Sequence, residues 1–150
     1  MEFKVVREIP KLNNRAIERA VEKFVMECGY KTHPIGYFNS TLETIANYTL
    51  GAKDNTGHFW LAHEDGEVMA YVLAHVSKAA DGQLLYNMSQ AWVHSKYRNK
   101  PIVKQWYQQL RQKAKDSLCK YINVVSSRHT APYLRFLGKQ WYVSCTILQE

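Results

Sequence analysis

A short basic segment, residues 93–104, contains residue types that can hold a phosphate group. It predicts the end of a strand, a turn, and a helix that begins at Pro101, because proline suits the first helical position. A helix N-terminus presents unpaired backbone N–H groups and the positive end of the helix dipole, and both favour an anion. Arg98, Lys100 and Lys104 add positive charge at the same place. The segment therefore predicts a phosphate-binding turn, with an ordinary strand-to-helix connection and solvated lysines as the alternative.

The charge of the chain favours an anionic partner. The formal net charge is +7, and it is concentrated in the C-terminal half. Between residues 96 and 120 the only acidic residue is Asp116. The basic residues of that stretch are Lys96, Arg98, Lys100, Lys104, Arg111, Lys113, Lys115 and Lys120. A nucleotide, a nucleic acid or an acidic protein would suit such a field.

Composition and motifs exclude several classes of protein. The length of 150 residues predicts a single domain, 1–150. No apolar run approaches the roughly 20 residues that a membrane helix needs, and no signal peptide is evident, so we expect a cytoplasmic protein without a membrane partner. The cysteines are odd in number and far apart, which argues against a disulfide framework and against a zinc site. No metal site is predicted, and neither a Walker A motif nor a nucleophile elbow occurs.

The hydrophobic periodicity predicts one mixed α/β domain in the order β-α-α-β-β-β-α-β-α-β. Its centre is a twisted mixed sheet of about six strands, flanked by four helices. A loop is expected over residues 30–38, and the capping box that starts at Ser40 predicts the beginning of the second helix. The predicted strands cover residues 3–5, 59–63, 68–76, 84–93, 121–126 and 141–148, and the predicted helices cover 14–28, 40–50, 101–119 and 130–137.

This order, with the basic turn before the longest helix, resembles the GNAT superfamily of N-acetyltransferases over nearly the whole chain. In that family the fourth strand is followed by the pattern V-x-P-x-[YF]-[RQ]-x-x-G-x-[GA], whose backbone amides hold the pyrophosphate of acetyl-CoA. Residues 93–103 fit this frame position for position. Pro101 and Val103 stand where the family has glycines. The matching residues are Val93, Tyr97 and Arg98.

The resemblance implies that acetyl-CoA is the cofactor and that this turn binds it. Pro101 removes one amide donor, and Val103 places a β-branched side chain where a glycine would allow close approach. A lost charge-assisted hydrogen bond costs about 1.5–3 kcal/mol, so binding is expected to be weak unless the basic side chains compensate. The implied cofactor-binding residues are Val93, Arg98, Asn99, Lys100, Ile102, Val103 and Lys104.

A second family signature, N-x-x-A-x-x-[LF]-Y-x-K-x-G-F, fits residues 130–142 without a gap. Thr130 replaces the asparagine, Trp141 replaces the glycine, and Leu137 replaces the tyrosine that commonly serves as general acid. The compatible residues are Phe136, Lys139 and Tyr142. A weaker likeness, resting on the Arg-Phe-Leu of residues 135–137, is to small acetyltransferase-like proteins of short-tailed phages.

Acetyl transfer to an amine needs a base for the amine proton and an acid for the thiolate. Tyr133 lies one turn before Leu137 on the same helical face, so it can substitute for the missing tyrosine. His94 lies at the strand end beside the turn. The predicted catalytic residues are therefore Tyr133 and His94, and each could instead be structural. Further candidates are His75, His129 and Tyr86.

Three functions stay open at this stage. The first is an acetyl-CoA-dependent N-acetyltransferase with an unknown amine or protein acceptor, and the second is an inactive protein of the same fold that binds another protein. The third is a nucleic-acid-binding domain that uses the basic helix, although the tryptophans favour core positions over base stacking. For the first function, the strand that ends at Val93 should pair in parallel with the strand at 121–126. The two should then separate into a slot for the pantetheine arm.

Overall fold

A computed structural model describes residues 1–7, 14–27, 34–50, 56–125 and 143–147 of the chain. Strands and helices follow one another along these ranges in the predicted order. The elements are β1 (Lys4–Val6), α1 (Asn14–Glu27), α2 (Pro34–Leu50), β2 (Gly57–Glu64), β3 (Glu67–Lys78), β4 (Leu84–Val93), α3 (Pro101–Asp116), β5 (Tyr121–Val125) and β6 (Val143–Ile147). The predicted helix at 130–137 lies outside the described residues.

The strands form one six-stranded sheet in the order β1-β2-β3-β4-β5-β6. Every neighbouring pair is antiparallel except β4 and β5, which are parallel. Parallel neighbours need a long crossover connection, and α3 provides it. Asp65 and Gly66, both with positive φ, close the β2–β3 hairpin. The predicted mixed sheet and mixed α/β fold class are confirmed.

Helices cover both faces of the sheet, because the central strands are apolar on both sides. On β3, Val72 and Ala74 pack towards α3, whereas Tyr71 and Leu73 pack towards α1 and α2. We refer to these sides as the α3 face and the α1–α2 face. Within the described ranges, no helix combines the length and apolar character needed to cross a membrane.

Helix α2 begins earlier than the sequence predicts. The prediction of a loop over residues 30–38 is wrong for 34–38, because α2 starts at Pro34. Ser40, predicted to cap the helix, lies inside it, and its carbonyl accepts a 2.9 Å hydrogen bond from Thr44 Oγ1. Packing of Phe38 and Leu42 against the α1–α2 face stabilises this first part of the helix. Tertiary contacts thereby outweigh the capping signal.

Helix α3 starts at Pro101 as predicted and ends at Asp116 rather than at residue 119. Leu118 adopts a left-handed conformation with φ 63°, which a continuing helix does not allow. The amide of Cys119 then donates to the carbonyl of Ala114 over 2.9 Å and closes the helix end. This stop directs the chain into β5.

Candidate active site

Strands β4 and β5 pair over part of their length only. The parallel register joins Leu85–Met88 to 121–124, whereas β4 continues to Val93. Ser89 is an extra residue on β4, because Gln90 pairs with Leu73 and Met88 pairs with Ala74. A bulge of this kind bends a strand and increases its twist. The two strands therefore part at Ser89, as the predicted slot requires.

The free edge of β4 directs backbone polar groups towards this opening. The amide of His94 donates to the carbonyl of Met69 on β3 over 2.7 Å. Successive strand residues direct their N–H groups to opposite edges, so Val93 and Ala91 present theirs on the β5 side. The carbonyl of Val93 accepts a 2.8 Å hydrogen bond from Arg98 Nε. The amides of Ala91 and Val93 can therefore bind an extended ligand in the slot.

The turn after β4 has a left-handed residue at Asn99, with φ 62°. Asparagine tolerates this conformation better than most residues, and a left-handed residue in a turn brings successive amides into an anion-binding concavity. The amide of Lys100 is bonded to the carbonyl of Tyr97 over 3.1 Å. Ile102 is the second helical residue, so its amide has no partner within the helix. The amides of Asn99 and Ile102 are therefore the candidate backbone donors of this turn.

The sequence suggests that Val103 would crowd a bound phosphate, but its side chain packs elsewhere. Its side chain and that of Ile102 are partly buried and pack against the hydrophobic cluster of the α3 face. Both side chains are thereby directed into the core. The expected steric obstruction of the phosphate by Val103 is not supported by this packing.

Acidic residues from distant segments anchor the turn. Arg98 forms an ion pair with Glu27 at the end of α1. Glu64 accepts a hydrogen bond from the Tyr97 hydroxyl and pairs with Lys96 Nζ at 3.5 Å. The Tyr97 hydrogen bond lowers the pKa of Glu64. The charges of two of the basic residues between 96 and 120, Arg98 and Lys96, are thus neutralised locally.

His94 makes hydrogen bonds through both ring nitrogens. Its Nε2 lies 3.1 Å from Glu67 Oε1, and its Nδ1 accepts from the amide of Lys96 over 3.1 Å. This pattern fits a neutral ring that donates to Glu67. Neither nitrogen has a free lone pair for an incoming proton unless one of these bonds opens. In this structure His94 joins the turn to the β2–β3 hairpin.

Lys100 and Lys104 differ from the other cations of the segment. Both are exposed at the start of α3. Within the described ranges, no carboxylate forms an ion pair with either of them. At this turn they are therefore the cationic side chains whose charge no carboxylate of the described residues neutralises.

Tyr86, another candidate for proton transfer, is enclosed in the core of the α3 face. Its hydroxyl oxygen accepts from Trp60 Nε1 over 2.9 Å and lies 2.6 Å from His58 Nδ1. Burial raises its pKa. A fully buried hydroxyl with two polar neighbours suits a structural role. Tyr133, His129 and Leu137 lie outside the described residues.

His75 lies on the opposite face of the sheet, where α2 partly covers it. Its Nδ1 is 3.5 Å from the hydroxyl oxygen of Tyr48, and burial lowers its pKa. Asn87 on β4 pairs with His75, and Asn123 on β5 pairs with Asn87. No local sequence signal marks the two asparagines or Tyr48. Strand register brings the asparagines into line with His75, and the packing of α2 on Gly57 brings Tyr48 beside it.

The three tryptophans in the described part of the chain occupy core positions, as predicted. Trp60, Trp92 and Trp106 are each no more than 5% exposed. None of these three rings is placed to stack on a nucleic-acid base.

Comparison with known proteins agrees with this geometry. The family model described as the acetyltransferase (GNAT) family matches residues 16–138. No curated protein sequence matches the chain. Among solved structures, a probable acetyltransferase superposes with a TM-score of 0.66 at 12% identity, covering 91% of this chain and 87% of the other.

Two further solved structures show the same fold. A predicted acetyltransferase with acetyl-CoA from Clostridium acetobutylicum has a TM-score of 0.60 and 13% identity, covering 90% of this chain and 87% of that one. Glucosamine-6-phosphate N-acetyltransferase from Arabidopsis thaliana has a TM-score of 0.57 and 16% identity, covering 93% and 92%. The family match, the sheet that opens after the bulge and the basic turn agree, and the chain belongs to the acetyltransferase (GNAT) family.

Proposed function

We propose that this protein transfers an acetyl group from acetyl-CoA to an amine. The observation that carries the proposal is the opening of β4 from β5 at Ser89, immediately before the anchored basic turn. Family membership supports an acetyl donor, and the Clostridium neighbour is a complex with acetyl-CoA. The acceptor is an amine of a small molecule or a protein.

The described residues fit the pantetheine arm and the pyrophosphate of a CoA molecule. The amides of Ala91 and Val93 can pair with the amide groups of the pantetheine arm, as a neighbouring strand would. The amides of Asn99 and Ile102 would hold the pyrophosphate. Lys100, beside them, adds positive charge close to the phosphates, with Lys104 one turn further along α3.

Acetyl-CoA supplies an activated thioester, so the chain must orient the amine and handle its protons. Tyr133 is the proposed acid for the departing sulfur. His94 would have to release the amide of Lys96 from Nδ1 before it could accept a proton there. We therefore assign His94 first to holding the turn, and only second to proton transfer.

Calorimetric titration with CoA and acetyl-CoA tests the binding step. The wild type should bind both, and the double variant Lys100→Ala/Lys104→Ala should bind about tenfold more weakly, with less dependence on salt. Lys115→Ala, on the last turn of the same helix, is the matched control and should leave the affinity unchanged. Failure of the wild type to bind at millimolar CoA would refute the proposal.

A transfer assay that detects the released thiol tests the chemical step. An amine-dependent release of CoA is the expected result. Saturable CoA binding without amine-dependent release, across a broad set of primary amines, would instead favour an inactive protein that uses this fold to bind a partner.

A further inference from the structure

A row of residues crosses the α1–α2 face just below the point where the sheet opens. His75 on β3 is in register with Gly57 on β2 and with Asn87 on β4, and Asn87 is in register with Asn123 on β5. Residues directly opposite in a ladder place their side chains on the same face. The next register, at Met88, is the last before the slot. The row therefore leads from α2 to the base of the slot.

The two asparagines at the base of the slot are joined by a hydrogen bond. Asn123 Nδ2 donates to Asn87 Oδ1 over 2.8 Å. This bond leaves the amide N–H groups of Asn87 and the amide oxygen of Asn123 without a partner among the described residues. A donor and an acceptor side by side complement an amide group on a ligand.

Tyr48 is seated on this row by the glycine in it. A Cβ atom at Gly57 would lie 2.7 Å from Cε1 and 2.8 Å from Cγ of the Tyr48 ring. Only glycine allows the ring to lie so close to β2. The ring position places the Tyr48 hydroxyl 3.5 Å from His75 Nδ1. In the tautomer where Nδ1–H donates to that oxygen, Nε2 carries the lone pair.

We propose that His75 is the general base that takes the proton from the acceptor amine, and that the acceptor enters over Asn87 and Asn123. This inference rests on the proposed function. Neighbouring strands lie about 4.8 Å apart, so His75 is roughly one strand from β4 and two from β5. One strand spacing exceeds direct hydrogen-bond reach and suits proton transfer through one bridging water, to an amine held beside β4.

The step is balanced in protons and bonds. The acceptor ammonium gives one proton to His75 Nε2 and becomes an amine. The amine nitrogen forms a bond to the thioester carbon, the C–S bond breaks, and the electron pair leaves on sulfur. The nitrogen loses its second proton as the amide forms, and that proton neutralises the sulfur. His75 finally releases its proton to solvent.

The surroundings of His75 favour its neutral form. Burial lowers its pKa, so the ring is unprotonated near neutral pH and has a lone pair that can accept a proton. Tyr48 from α2 and Asn87 from β4 are the polar groups that face it. In the described part of the chain, no charged side chain contributes to that pKa shift. An acceptor with a neutral amide beside its amine fits this uncharged site.

Glycinamide is the probe that tests the proposal, because it is a primary amine with one amide. The ratio kcat/KM is measured against pH with saturating acetyl-CoA for the wild type, His75→Gln, Tyr48→Phe and the control His63→Gln. His63 is an exposed histidine on β2. His75→Gln should lower kcat/KM about 100-fold and remove the histidine limb of the profile, with CoA affinity unchanged. Tyr48→Phe should move that limb to lower pH, since the oxygen that stabilises protonated His75 is lost.

A second measurement does not depend on turnover. The imidazole proton resonance that disappears in His75→Gln should shift when CoA is added to the wild type, and the resonance of His63 should not. Two results would overturn this inference alone. One is wild-type transfer together with a His75→Gln variant whose kcat/KM has the same pH dependence. The other is a His75 resonance that does not shift when CoA binds. Absence of CoA binding in the wild type refutes the proposed function and this inference together.

Discussion

Replacing Gly57 by alanine should destabilise the fold by forcing the Tyr48 ring away from β2. The new Cβ would stand less than 3 Å from several ring atoms, among them Cε1 at 2.7 Å and Cγ at 2.8 Å. Ordinary carbon contacts are about 3.5–4.0 Å, so the ring must move by about 1 Å. The clash involves Cγ, which is close to the backbone of α2, so a simple rotation of the ring tip does not relieve it.

The expected cost is that of overpacking a core, about 1–3 kcal/mol in the free energy of unfolding. For a chain of this size, each 1 kcal/mol lowers Tm by about 2–4 °C. Gly57→Ala should therefore lower Tm by about 4–8 °C for a cost near 2 kcal/mol. Its φ lies outside the left-handed region, so backbone strain does not add to this cost.

A double-mutant cycle with Tyr48 isolates the clash. In a Tyr48→Ala background the ring is gone, and Gly57→Ala should become stabilising by about 0.4–1 kcal/mol through the reduced entropy of the unfolded chain. The coupling energy between the two sites should be about 1.5–4 kcal/mol. Tyr48→Phe keeps the ring, so Gly57→Ala should cost as much in that background as in the wild type.

Urea denaturation and thermal melting followed by circular dichroism provide these free energies. An equal cost of Gly57→Ala in the wild-type and Tyr48→Ala backgrounds would refute the reasoning. That result would mean that the ring does not lie on Gly57 and that Tyr48 is not held beside His75. The cycle needs no ligand, so it tests the geometry of the row independently of catalysis.

Three further changes address the turn and the core. Arg98→Ala removes the hydrogen bond to Val93 and the anchor to α1, and CoA should bind about tenfold more weakly in calorimetry; an unchanged affinity would place the site elsewhere. Pro101→Gly restores an amide donor at the start of α3, so CoA should bind up to about tenfold more tightly, and weaker binding would exclude this amide as a phosphate ligand. Tyr86→Phe leaves the buried indole N–H of Trp60 without its acceptor. Urea denaturation should show that the free energy of unfolding falls by about 1–3 kcal/mol, and an unchanged value would contradict this buried hydrogen bond.

Local signals in the sequence were sufficient to predict the strand and the helix on either side of the predicted cofactor site. Strand β4 has the predicted bounds, and α3 begins at the predicted Pro101. Alternating apolar residues define the strand, and a proline at the first helical position defines the helix start. Both signals lie within a few residues of the structure that they specify. The Asp65–Gly66 hairpin was predictable for the same reason.

The tertiary structure alone decided how the turn is anchored and which residues share the base of the slot. Arg98 and Glu27 are 71 positions apart in the sequence. His75 and Asn123 share one row of the sheet only through the registers of two strand pairs. The start of α2 was likewise missed, because its first turn is stabilised by packing on the sheet.

Composition and spacing determined the mixed sheet and the basic turn that follows its fourth strand. They could not determine which side chains meet, because register depends on the whole sheet and one bulge residue alters it. Ser89 shows this dependence most clearly. Nothing in its local sequence marks it as a bulge, yet it shifts the register of β4 against β3 exactly where β4 leaves β5.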